Sequence, residues 1–399
     1  MTSRAAFTAS IQGTRASQHL DLIRGLAAVA VLVYHVRYRF FLDYADVPSH
    51  DPFTVAGYLV TSFGHDAVMV FFVLSGFLIG STVVRSFRTD RWTWTEYLTS
   101  RIVRLQVVLL PGLLLTLFWD RLGLHWFGAR DIYTGVMRGY TQDFFEVSSR
   151  LSGGAFLCNA AFLQDLRCVP YGSNAALWSL SFEFWYYIVF PLLALGLVAT
   201  QPMARRVACV ILGAAVLFMI RGPIVQYFPI WLLGAVVALL PVWPRAMNRP
   251  VVCVMLPLGV FTVIVAATHA SVVRAWLGGS SWAADLVNAV AFAGCLYLVL
   301  HDRRPAARDA YGWSAGRLSA CSFSLYLVHL PLLVFLRAWL VPGRPWSPSV
   351  ATLGAALVVA TVAFVYALVF SRLTEANTAV VRRRVLAWLS TRHRQSIIG

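Results

Sequence analysis

Leu177-Trp178-Ser179-Leu180-Ser181-Phe182-Glu183-Phe184-Trp185-Tyr186-Tyr187 is the stretch on which the reading of this chain turns. The apolar run carries on through residues 191–199, so Glu183 is a lone carboxylate deep inside a hydrophobic segment. An ionised carboxylate in hydrocarbon is costly unless it is paired or hydrated, which makes such a residue a functional-site candidate by default. The plainer alternative is a structural ion pair or a hydrogen bond that glues two helices together.

Outward from Glu183 the whole chain has the same character. It is 59% hydrophobic and 13% charged, with a mean hydropathy of +0.70. A soluble domain carries about twice that share of charge. Uncharged runs at 67–84, 184–204, 222–244, 250–273, 318–336 and 345–371 include several longer than the ~18 residues that mark a membrane-spanning helix. The expected fold is an all-α polytopic membrane protein with about ten transmembrane helices. They fall near 21–40, 66–84, 105–119, 176–199, 207–220, 224–241, 250–268, 284–301, 318–339 and 349–371. Residues 153–168 are apolar but short, and the interior Asn159 and Gln164 suit a re-entrant or interfacial element.

All 33 basic residues are arginine. With no lysine, the chain has neither a Schiff-base nucleophile nor a P-loop. The net charge of +16 does not signal nucleic acid, because the arginines cluster at the ends of apolar runs rather than in one stripe. With ten spans, about two thirds of them fall on one side, which the positive-inside rule makes cytoplasmic. Both termini then face the cytoplasm. The expected organisation is a cytoplasmic N-terminal segment, 1–20, a transmembrane domain, 21–371, and a basic cytoplasmic tail, 372–399, that lies against anionic lipid. No cleavable signal peptide is evident. The longest outer loop, about 120–175, mixes aromatics with Asp131, Asp143, Glu146 and Asp165, and loops of that length are commonly functional. The six cysteines show no metal-ligand spacing. Cys158 and Cys168 flank a polar segment, and whether they pair is left open by the sequence.

Four further stretches carry chemistry. Arg24 and His35 are eleven positions apart, which returns them to within about 20° of one helix face and separates them by roughly 16 Å. A histidine placed there can serve as a general base near neutral pH; a ring satisfied by a neighbouring hydroxyl is the alternative. In the second span Ser75, Gly76 and Gly80 put small residues near one face, and close helix packing accounts for the glycines. Arg101 and Arg104 share a helix face and suit phosphate oxygens, although ordinary positive-inside flanking explains them too. Ser322, Tyr326 and His329 share a face of a late span, where His329 is either a structural partner of Glu183 or part of the site.

These blocks, in this order, resemble the acyltransferase family 3 membrane proteins. The resemblance rests on Arg24 with ten residues before His35, Phe71-Phe72-Val73-Leu74-Ser75-Gly76-Phe77, the Arg101/Arg104 pair, Trp178 to Glu183, and Ser324-Leu325-Tyr326-Leu327-Val328-His329-Leu330-Pro331. It spans roughly residues 18–371. Two departures stand out. Many members read Gly-Val-Asp directly before the Phe-Phe block, whereas Gly64-His65-Asp66 here is followed by four apolar residues. Some members also carry a fused esterase-like domain; without one, transfer is expected to finish in the membrane domain or with a separate partner.

The resemblance implies O-acylation, usually acetylation, of a carbohydrate or related hydroxyl, with cytoplasmic acyl-CoA (acetyl-CoA) as donor and no metal. It implies a multi-pass protein of the bacterial inner membrane, with a lipid-linked or exported glycan as acceptor and glycan-biosynthesis machinery as a possible partner. His35 becomes the essential histidine, either as base or as acyl carrier. Glu183 is expected to orient it, with Ser75, Tyr326 and His329 in support. Arg24, Arg101 and Arg104 are expected to hold the donor. The rival class is a proton-coupled transporter or flippase, which also uses buried carboxylates and histidines. Against it, no inverted hydropathy repeat is visible.

Overall fold

The apolar runs fold as helices, and among the described residues no strand forms beyond isolated bridges. The computed structural model describes residues 11–135, 145–198, 201–241 and 249–398, with side chains as far as residue 391. Asp143 of the long loop lies outside the described residues, as do Arg4, Arg245 and the first ten residues of the N-terminal segment.

In chain order the first eight α-helices are α1 (Arg15–Phe40), α2 (Pro52–Val60), α3 (Gly64–Arg88), α4 (Trp94–Phe127), α5 (Asp131–Thr134), α6 (Gly153–Ala160), α7 (Trp178–Leu197) and α8 (Met203–Ile220). They are followed by α9 (Pro223–Leu239), α10 (Leu256–Thr268), α11 (Ser271–Trp276), α12 (Ser281–Val299), α13 (Ala310–Ala320), α14 (Ser322–Leu340), α15 (Val350–Leu373) and α16 (Thr378–Ile398). Local chemistry sets several starts. Asp51 caps α2 by accepting from the amides of Phe53 and Thr54, with Pro52 at the first helical position. Ser349 and Thr352 form a reciprocal capping box that opens α15.

Among the described residues nine helical stretches are long and apolar enough to cross a membrane. The protein is an all-α polytopic membrane protein. The tenth expected span, 224–241, is the apolar helix α9, whose 17 residues rise about 25 Å, just short of a ~30 Å hydrocarbon core. In contrast, α4 has 34 residues and rises about 50 Å, so the expected span 105–119 is only its middle part. Residues 153–168 form the eight-residue α6 and a loop closed by a disulfide between Cys158 and Cys168, too short to span.

The chain folds as two compact units. The first comprises Met1–Ala27, His65–Trp92 and Phe182–Ser319. Here α3 crosses α9 with backbone against backbone. A Cβ on Gly76 would strike the Trp231 carbonyl, one on Gly80 would lie 2.9 Å from the Ala235 Cα, and one on Gly234 would strike the Val73 carbonyl. Gly76 and Gly80 of the second span therefore serve packing, as expected. Helix α12 packs on α9 and α10. The start of α1 is tied down rather than loose: Arg15 pairs with Asp309, Gln18 donates to the Ala307 carbonyl, and His19 meets Asp302 at 3.0 Å.

The second unit comprises Ala28–Gly64, Thr93–Ser181 and Ala320–Gly399. Its centre is α14, buried over most of its length between α4 and α15, while α16 lies against α4. Asp120, fully buried on α4, accepts from the Ser173 amide at 2.7 Å and the Ser173 hydroxyl at 2.6 Å. Asn174, next in the loop, donates to the Leu327 carbonyl of α14. The loop that precedes α7 is thus pinned to both α4 and α14.

Candidate active site

His35 and His329 meet in the second unit. Helix α1 supplies His35, half-buried, and α14 supplies His329, which is fully buried. His35 Nδ1 lies 3.0 Å from His329 Nε2, and His329 Nδ1 lies 2.8 Å from the Leu325 carbonyl one turn back on its own helix. A carbonyl only accepts, so His329 Nδ1 carries the hydrogen and its Nε2 is the lone-pair nitrogen of the neutral ring. His35 Nδ1–H then donates to it, and the free lone pair of His35 is left on Nε2. Both ring nitrogens of His329 are thereby engaged within its own unit.

Around this pair stand hydroxyls and aromatic rings. The Tyr34 ring packs edge-on against His35 with centroids 5.2 Å apart. Tyr326, one turn before His329 on α14, shares a hydrogen bond of 2.7 Å with Ser179 and donates to the Ala176 carbonyl. The first half of the Trp178–Glu183 block therefore stands beside the helix that carries His329.

Glu183 belongs to the first unit. Its Oε1 accepts from the Ser75 hydroxyl at 2.9 Å and from the Tyr187 hydroxyl. Ser75 in turn accepts from Trp231 Nε1 at 3.2 Å. Among the described residues no cation pairs with Glu183; its compensation for burial comes from hydroxyl donors. Ser75 is therefore a direct partner of the carboxylate. Tyr187, at i+4 from Glu183, was readable from spacing but was not singled out. Trp231 has no signal in the sequence.

The three arginines occupy two settings. Arg24 donates to Ser319 and to Asp21 Oδ1, the latter at 3.3 Å. It lines a cavity of about 240 Å³ in the first unit together with Arg85, Ser17, Ser81 and Thr82. Arg101 and Arg104, in the second unit, lie over the rings of Tyr97 and Phe323 at 5.8 and 5.9 Å. No carboxylate among the described residues bonds either guanidinium.

A family model described as an acyltransferase domain matches residues 18–370. No curated protein and no solved structure matches the chain.

Proposed function

The chain belongs to acyltransferase family 3, whose model covers nearly all of it, and on that premise we propose that it O-acetylates a carbohydrate from acetyl-CoA. The observation that carries this reading is the His35–His329 pair. It leaves His35 Nε2 as a lone-pair nitrogen on a half-buried ring, the state a general base needs. In the proposed step Nε2 takes the proton of the acceptor hydroxyl as its oxygen bonds to the thioester carbonyl carbon. The C–S bond then breaks, and the proton passes from His35 to the departing thiolate. His329 Nε2 holds the His35 ring in register by accepting from Nδ1–H, as an orienting partner does.

Arg101 and Arg104 are proposed to bind donor phosphates, since their guanidinia face aromatic rings and keep hydrogen-bonding capacity for anions. The Arg24 cavity, with Arg85 and the hydroxyls of Ser17, Ser81 and Thr82, offers the same chemistry on the first unit. Glu183 is retained as a proposed catalytic carboxylate, held by Ser75 and Tyr187. The setting proposed is the bacterial inner membrane, with a lipid-linked or exported glycan as acceptor and glycan-assembly enzymes as neighbours.

Purified protein with radiolabelled acetyl-CoA and a glycan extract tests the proposal. Label moving to glycan, and lost in His35→Ala, is the expected result. Glycan flux into proteoliposomes without acetyl-CoA, and with no label transfer, would make the protein a carrier instead.

A further inference from the structure

On the second unit, a groove of about 600 Å³ runs between α1, α2 and the start of α15. Val36, Tyr58, Leu353, Ala356 and Leu357 make it mostly apolar, and Leu357 is 69% exposed, so the groove opens sideways toward lipid. One cation lines it, Arg37. Its guanidinium is held between the rings of Tyr34 and Tyr58, with its carbon 5.4 and 5.3 Å from their centroids. Its Nε is buried without a hydrogen-bond partner, and no carboxylate among the described residues pairs with it. The one acid in the lining, Asp51, already accepts from the Phe53 and Thr54 amides and from the Thr54 hydroxyl as the cap of α2.

A half-buried cation that no described carboxylate pairs, held by two aromatic faces in an apolar trough, has one complement. It fits an amphiphile with a long hydrocarbon chain and an anionic head. A guanidinium fork favours phosphate over a neutral head. We propose that this groove docks a long-chain lipid phosphate, the chain lying along α15 and the phosphate at Arg37, as the carrier of the glycan to be acylated. Arg37 follows His35 by two residues on α1, about 3 Å along the axis and roughly 160° around it. The phosphate is thus anchored on the face of α1 away from the histidine pair, and only the glycan beyond it has to reach that pair. The glycan's fate rests on the acyl-transfer reading; the lipid-docking step does not.

The test is binding to the full chain in nanodiscs of neutral phosphatidylcholine, without acyl donor, using a fluorescent polyprenyl phosphate and the matching neutral polyprenol. Wild-type protein should prefer the phosphate. Arg37→Gln should weaken phosphate binding by about 10- to 150-fold, the worth of a lost charge-assisted hydrogen bond, and leave polyprenol binding unchanged. Ala356→Trp, which fills the trough, should weaken both. Equal binding of phosphate and alcohol by the wild type, or unchanged phosphate binding in Arg37→Gln, would overturn the proposal. If Arg37→Gln does not fold, unchanged binding by Ala356→Trp overturns it and weakened binding supports it. Lipid binding through Arg37 with no acetyl transfer would retire the acceptor reading and keep the groove. Acetylation of glycan without lipid binding would do the reverse.

Discussion

Two residues, His35 and Glu183, are proposed to carry the chemistry, and they make different demands on a test. His35 holds the lone pair, so His35→Ala should lower turnover by about 10²- to 10⁴-fold while acetyl-CoA binding and folding persist. An active His35→Ala protein would remove the proposed base. His329 engages both ring nitrogens, so His329→Ala strips the partner from His35 Nδ1–H and should depress turnover less than His35→Ala does. Glu183 is held by hydroxyls rather than by a cation, and the amide oxygen of Glu183→Gln can still accept from Ser75 and Tyr187. The variant should therefore keep its thermal stability within about 1 kcal/mol and lose activity. A loss of about 3–5 kcal/mol, the cost of breaking a buried ion pair, would make Glu183 a structural residue. The Glu183–Tyr187 contact follows from helical spacing and was open to view in the sequence. The His35–His329 contact joins residues 294 positions apart, and nothing in a single sequence ties those two rings to each other.

At the scale of elements, the crossing of α3 and α9 leaves no room for a Cβ at Gly234, because the atom in the way is the Val73 carbonyl rather than a movable side chain. Gly234→Val should destabilise the protein by about 1–3 kcal/mol or more, seen as an earlier thermal melt. A second test concerns the link between α12 and α13. Burial alone would raise the carboxyl of Asp302, but Arg304 and His19 outweigh it and hold its pKa at about 2. The carboxylate is depressed from its ordinary ~3.9, so its contribution is complete above that value and fades as pH falls through about 2. The shift is worth about 2 kcal/mol. Melting curves between pH 6 and pH 2 should show that loss in the wild type, and Asp302→Asn should be less stable at pH 6 and flatter toward acid. Identical curves would leave the Asp302 contacts without energetic weight. The span positions were legible because hydrocarbon demands long apolar runs. The length of α4 was not, since its polar ends continue the helix outside the run that marks the membrane.

For the whole molecule, the arginine bias predicts that reporter fusions at Arg91 and near Ala310 give cytoplasmic signals; an external signal at either would invert the arrangement. The Cys158–Cys168 disulfide adds a second check, because such bonds persist in oxidising compartments. Those two thiols should take a membrane-impermeant maleimide in intact cells only after reduction, and labelling without reductant would show the bond unformed. Composition and hydropathy were enough to show that the chain lives in a bilayer and about how many times it crosses, and co-linear motifs were enough to point to its family, because each depends on local runs or ordered blocks. Only the tertiary structure decided that His35 is met by His329, that Ser75 donates to Glu183, and that Arg37 lines an apolar groove. Those contacts join helices distant in sequence, and which faces meet is set by packing, which leaves no period or spacing to read.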